Sequence, residues 1–177
     1  MTNAGNDPLL RGLAAGDERA FATLYDQYGA RLYRTALGIL CRREDAEDAV
    51  QEVFTALVRS RKALAGVNDL TAYLFSTLRR TAARCAERRK REPTSSQAVE
   101  DVEAKADPGE TDHPIAGRLE KALQMLPDEQ REVISLKIEG QLTFAQIAEV
   151  LRISINTAAS RYRYALEKLR AMLQGNS

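Results

Sequence analysis

Residues 127–169, PDEQREVISLKIEGQLTFAQIAEVLRISINTAASRYRYALEKL, combine residue types and spacings suited to reading duplex nucleic acid. Thr143 and Gln146 make a capping box, in which the hydroxyl accepts from the backbone three residues on while the amide reaches back. Gly140 supplies the left-handed residue expected to end the preceding helix. After the short break Arg152-Ile153, Ser154 caps a further helix. In that last helix Ala158, Tyr162, Ala165 and Leu169 recur at three- and four-residue steps and predict its buried stripe. Asn156, Ala159, Ser160, Arg163 and Tyr164 fall on the solvent side of its first two turns. A major groove admits one helix, and short polar or basic side chains near its N-terminus can reach base edges. From Arg152 to Arg170 the bases Arg152, Arg161, Arg163, Lys168 and Arg170 face one acid, Glu167, so charge agrees with the caps. The duplex-contact set expected from this pattern is Asn156, Thr157, Ser160, Arg161, Arg163 and Tyr164. Within it Arg163 is expected on a base edge, while Asn156, Thr157 and Ser160 seat the helix on phosphates. The plainer alternative is a helical hairpin with a solvated basic face.

Two further surfaces carry chemistry. A helix starting near Glu44 or Asp45 buries Ala49, Val50, Val53, Phe54 and Leu57. On its other face Asp45, Asp48, Gln51, Glu52 and Thr55 form an acidic, hydrogen-bonding strip. Such a strip repels nucleic acid and suits a basic protein surface; the alternative is an ordinary solvated face. The next helix places Tyr73, Arg80, Arg84 and Arg91 within about 40° on one flank. Arg79, Arg88, Arg89 and Lys90 thicken the charge towards its C-terminal end. An aromatic face beside guanidinium groups is the chemistry of single-strand binding, although cations also suit a helix C-terminus on structural grounds.

The elements that position these residues are helical nearly throughout. Asp17 can cap a helix carrying Phe21, Leu24, Tyr25 and Tyr28, with Leu32, Ala36, Leu37 and Leu40 following after Gly29. A loop, RKALAGVN, precedes a helix capped by Asp69 that buries Leu70, Leu74, Leu78, Thr81 and Cys85 and stops before Pro93. Residues 92–117, EPTSSQAVEDVEAKADPGETDHPIAG, hold seven acids against one lysine, a composition that cannot bury enough apolar surface to order itself. The fold expected is all-α: a helical domain of residues 8–91, a flexible acidic linker of residues 92–117, and a helix-turn-helix domain of residues 118–174. As a flexible coil that linker spans roughly 28 Å and at most about 90 Å extended.

Composition excludes several classes. At 177 residues the chain holds one ordinary domain or two small ones. No apolar run approaches the roughly 20 residues that span a bilayer. The segment MTNAGNDPLLRGLAAGDE has neither a basic nor an apolar leader region, which predicts a cytoplasmic protein without membrane insertion. His113 is the sole histidine and falls in the linker segment; Cys41 and Cys85 lack metal-ligand spacing. Neither a Gly-rich phosphate loop nor a nucleophile elbow is present. The expectation is no enzyme, no cofactor and no metal. The net charge of +1 conceals the segregation of acids and bases described above.

Taken with their spacing, GDERAFATLYDQYGARLYRTALGIL, EDAEDAVQEVFTAL and AYLFSTLRR resemble region 2 of the extracytoplasmic-function (ECF) sigma factors. LPDEQREVISLKIEGQLTFAQIAEVLRISINTAASRYRYALEKLR resembles their region 4. The resemblance implies a dissociable RNA polymerase subunit that selects promoters and supports DNA opening. It implies that Asp45, Asp48, Gln51, Glu52 and Thr55 dock on core polymerase. By the same likeness Tyr73, Arg80, Arg84, Arg88 and Arg91, with the preceding loop, hold the opened strand of the minus-ten element. The helix-turn-helix would read the minus-thirty-five element as duplex, and an anti-sigma factor is a further expected partner. Where the family commonly has asparagine this chain has Arg80, where it has lysine or arginine this chain has Ala159, and Tyr164 replaces another basic residue. Tyr73 stands at a place usually held by tryptophan and keeps an aromatic face. Two rivals remain at this point. One is a conventional helix-turn-helix regulator that binds duplex DNA alone; the other is a sigma-like decoy that titrates an anti-sigma factor.

Overall fold

The computed structural model describes residues 8–91 and 114–174, within which every regular element is helical. In chain order these are α1 (Pro8–Ala15), α2 (Glu18–Leu40), α3 (Arg43–Arg59), a 3-10 turn (Arg61–Gly66), α4 (Leu70–Arg91), α5 (Pro114–Gln124), α6 (Asp128–Ile138), α7 (Phe144–Leu151) and α8 (Ile155–Gln174). No helix among the described residues is long and apolar enough to cross a membrane. Expectations for residues 92–113, His113 among them, lie outside the described residues. α5 starts at Pro114, inside the stretch expected to be linker, because proline is well suited to the first helical position.

The caps act where their sequence signatures lie. The Asp17 carboxylate accepts from Arg19 N at 2.9 Å, and Asp69 Oδ1 accepts from Ala72 N at 2.9 Å. Thr143 and Gln146 complete both arms of the capping box, and Ser154 Oγ accepts from Thr157 N at 3.0 Å. One expectation is corrected. The left-handed residue after α6 is Gln141, with φ of 53°, not Gly140. Glycine stands at 140 for space: a Cβ there would lie 2.6 Å from Leu136 O and 3.1 Å from the Phe75 ring.

Those 3.1 Å join the two halves of the chain. Leu32, Ala36, Leu74, Phe75 and Leu78 share one buried cluster with Val133, Leu136, Leu142, Ile147 and Leu151. A second cluster, Ala122, Leu126, Ile134, Ala165 and Leu169, belongs to α5, the turn after it, α6 and α8. α2 and α6 run antiparallel across the junction, since Arg34 pairs with Glu139 at 3.0 Å while Ile39 O, further along α2, meets Arg131 Nε at 3.2 Å. Each helix caps the other. Arg31 of α2 donates to Gly140 O just past α6, and Arg131 of α6 donates to Ile39 O at the end of α2. Both place a cation at the negative end of a helix. The Arg31 guanidinium also sits over the Tyr28 and Phe75 rings, at 5.2 and 5.7 Å from their centroids. Close approach requires Gly38, where a Cβ would stand 2.5 Å from Ser135 Oγ.

A polar contact completes the junction at α4. Gln146 Nε2 donates to Asp69 Oδ2 at 2.9 Å, so the cap of α4 and the capping box of α7 interlock. Arg79 Nε lies 3.3 Å from Glu132 Oε1 but off line for a hydrogen bond. Burial raises the Glu132 carboxyl above its ordinary value, and Arg79 opposes that rise. The shift favours the protonated folded form. Its stabilising contribution is full below the ordinary carboxylate value and is lost as pH climbs through the raised one.

Candidate nucleic-acid and polymerase interfaces

The acidic strip of α3 and the basic track of α4 face each other. Glu52 pairs with Arg84 at 3.2 Å, Asp48 with Arg88 at 3.8 Å and Asp45 with Arg89 at 3.4 Å. A helical wheel gives each helix its faces but not their mutual rotation, so the ladder was hidden in the sequence. Gln51 is exposed, and the Thr55 hydroxyl is turned inward to Gln51 O at 2.9 Å. Both partners of the Glu52 and Asp48 pairs are largely in solvent, where such pairs contribute about 0–1 kcal/mol. A stronger external partner can therefore recruit either member.

Along the track, Tyr73 is half-buried, and its hydroxyl lies 3.3 Å from Ser60 Oγ. Arg80 is exposed and donates to Thr77 Oγ1 at 3.1 Å; among the described residues no carboxylate pairs with it. Arg84 also donates to Thr81 Oγ1 at 3.2 Å, and Arg91 is exposed at the end of α4. Arg80, two turns along α4 from Tyr73, can thus take an anion without breaking an ion pair among the described residues.

On α8 the expected duplex set divides. Asn156, Arg163 and Tyr164 are exposed, with Tyr164 at 50% and the Arg163 guanidinium 5.2 Å from its ring centroid. Ser160 is half-buried, and the Thr157 hydroxyl is bound to Ser154 Oγ at 2.8 Å. Arg161 is placed apart from them: it pairs with Glu129 at 2.6 Å and ties α8 to α6.

A surface that sequence reading missed runs along α2 and α3. Val50 and Phe54, expected to be buried, pack against the core but also line an open groove of about 1040 Å³ with Phe21, Tyr25, Tyr33 and Val58. Tyr25 is 61% exposed and Val58 47% exposed, while the Tyr25 and Phe54 rings meet at 5.3 Å between centroids. Glu47 and Gln51 form its polar edge, which continues into the acidic strip. Helical periodicity identified the apolar face; it could not show that no other described element covers it.

Comparison with known proteins matches this arrangement twice over. The family description "Sigma-70 region 2" matches residues 24–92, and "Sigma-70, region 4" matches residues 116–169. ECF RNA polymerase sigma factor SigK of Mycobacterium tuberculosis (strain H37Rv) is 31% identical over 94% of this chain and 92% of its own length. The chain belongs to the ECF RNA polymerase sigma factors. SigK of Mycolicibacterium vanbaalenii is 32% identical to this sigma factor, over 98% of the chain and 91% of that relative. Among solved structures, CnrH in complex with the cytosolic domain of CnrY superposes with a TM-score of 0.68 at 24% identity, over 96% and 97% of the two chains. Sigma factor RpoE in complex with the anti-sigma factor NepR, from Bartonella quintana, gives a TM-score of 0.72 at 24% identity, over 90% and 99%. Both likenesses concern the fold. In this sigma factor the region 2 match begins within α2, so α1 lies ahead of it, and the region 4 match spans α5 to α8 up to Leu169.

Proposed function

We propose that this sigma factor docks on core polymerase through the α2–α3 groove together with the acidic edge of Glu47, Asp48, Gln51 and Glu52. The observation that carries this is the continuity of an apolar groove, left open by the described residues, with an acidic strip on one pair of helices. Apolar anchors supply affinity there and the acids select a basic partner. Tyr73 and Arg80, with the loop from Arg61 to Asp69, then hold the opened strand, and α8 reads the duplex through Arg163, Asn156 and Tyr164. Arg161 braces α8. The protein acts where polymerase acts, in the cytoplasm. CnrH and RpoE were each solved with a regulator, CnrY and NepR, and a regulator of the anti-sigma type is the further partner proposed here.

The same reading requires the two halves to separate. By their names the promoter elements lie about 25 base pairs apart, or roughly 85 Å at 3.4 Å per pair. In the closed packing Gln146 of the helix-turn-helix touches Asp69 at the end of the strand-holding loop. The segment joining Arg91 to Pro114 reaches at most about 80 Å when extended, close to that spacing, and the breadth of each half makes up the difference. Residues 8–91 and the region 4 half therefore act as separable domains, closed in the free protein and parted on the polymerase.

Val58→Asp tests the docking face. Because Val58 is nearly half exposed, an aspartate there leaves the core cluster untouched while placing a charge where an apolar contact would form. Core affinity should fall at least about tenfold, or about 1.4 kcal/mol, with helicity unchanged. Equal affinity of Val58→Asp and the parent for core, in a direct binding titration, would remove the groove from the docking face.

A further inference from the structure

We propose that α1, which lies ahead of the matched region 2, is a positioning element that sets the shape of the base-reading loop. This rests on the reading, above, that the loop Arg61–Asp69 contacts the opened strand. The loop opens on the 3-10 turn Arg61–Gly66, tied at its two ends by Ala63 N to Ser60 O at 2.9 Å and Val67 N to Leu64 O at 3.1 Å. Geometry of that kind is weak on its own and needs tertiary support. The turn presents Ala63, Ala65 and Gly66 to solvent, and its one fully buried side chain is Leu64. Leu64 enters the cluster that holds Leu10 and Leu13, and α1 is in direct contact with the turn. The turn thus packs against α1, and its one buried side chain belongs to the same core as the two buried leucines of α1.

A second contact fixes the loop's first residue. α1 ends at Gly16, whose φ of +82° suits glycine, and a Cβ there would meet Arg61 Nε at 3.2 Å and Cδ at 3.4 Å. The Arg61 side chain therefore lies over the bare backbone of Gly16. α1 is itself held rigidly on α2. A Cβ at Gly12 would stand 2.7 Å from Ala20 Cβ, and Asp17 N bonds Gly12 O at 2.9 Å just before Asp17 caps α2. At the loop's other end Asp69 caps α4, and Ser60 meets the Tyr73 hydroxyl. The exposed polar side chains Lys62 and Asn68 lie on this loop, between the Arg61–Gly16 contact and the Asp69 cap.

The test uses the holoenzyme on a promoter library randomised across the minus-ten element, read by run-off transcription, with core affinity and the upstream footprint measured beside it. Leu10→Ala is expected to change base preference across the minus-ten element by about fivefold, with core affinity and footprint within about twofold. Leu10→Met, which refills the space, should restore the parent profile, and Gly16→Ala should shift preference in the same direction. Lys62→Ala and Asn68→Ala, made in the loop itself, should each alter preference. Loop variants that change preference while every α1 variant leaves it unchanged would overturn the positioning role. So would loss of core affinity in parallel with preference, which would make α1 a general brace. Loop variants without effect would instead overturn the reading of the loop on which the proposal stands.

Discussion

Cross-linking α2 to α6 is expected to abolish promoter-dependent transcription, and reduction is expected to restore it. The pair is Gly38→Cys with Ser135→Cys, in a background carrying Cys41→Ser and Cys85→Ala. A Cβ at 38 would lie 3.1 Å from Ser135 Cβ, a few tenths of an ångström inside the roughly 3.5–4.5 Å of a disulfide, so slight relaxation suffices. The oxidised form keeps Arg31 on Gly140 and Gln146 on Asp69, and the two readers stay too close to span the promoter. Core can open the parent only by binding the parted form more tightly than the closed one, and a covalent lock removes that route. Gel shift on a quantitatively oxidised sample, before and after reductant, with the run-off product as readout, decides the matter. Full activity of the oxidised protein would show that the closed packing is compatible with promoter reading.

The second large effect belongs to Tyr73. Stacking on an unpaired base contributes about 1–3 kcal/mol and tolerates any base. Tyr73→Ala should therefore reduce permanganate reactivity of the opened thymines by about tenfold or more, while footprints of the closed complex persist. Tyr73→Phe removes only the hydroxyl that meets Ser60, so it should open promoters nearly as the parent does. Arg80→Ala isolates the neighbouring cation. As a phosphate clamp it lowers the salt dependence of strand binding by about one contact without altering base choice; a changed base preference would make Arg80 a base reader. If Tyr73→Phe proved as defective as Tyr73→Ala, the hydroxyl would be the active group and the stacking role would fall.

What the sequence disclosed about this molecule is what short-range physics controls. Asp17, Asp69, Thr143 with Gln146, and Ser154 cap the helices they precede because a cap is a contact between residues two or three apart. The buried stripe Ala158, Ala165 and Leu169 followed from helical period alone. Long-range contacts were not legible. Gly140 looked like a left-handed cap, yet its lack of a Cβ serves the Phe75 ring, while Gln141 takes the positive φ. Arg31 and Arg131 carry charges that normally mark a solvated face, and each instead caps the other half's helix. Asp48 and Arg88 were assigned to separate surfaces because their pairing depends on how α3 is rotated against α4. Val50 and Phe54 fitted a core stripe, yet among the described residues no third helix covers the groove they line with Tyr25.

Run-off transcription with purified core polymerase, with and without this chain, tests the central claim most directly when the same DNA is footprinted in parallel. The account predicts a transcript from a defined start only when both proteins are present, and no specific footprint from the free chain, whose two readers are held together. Tight, sequence-specific protection by the free chain as a dimer on a palindrome, with no transcript on adding core, would contradict it and identify a conventional helix-turn-helix regulator.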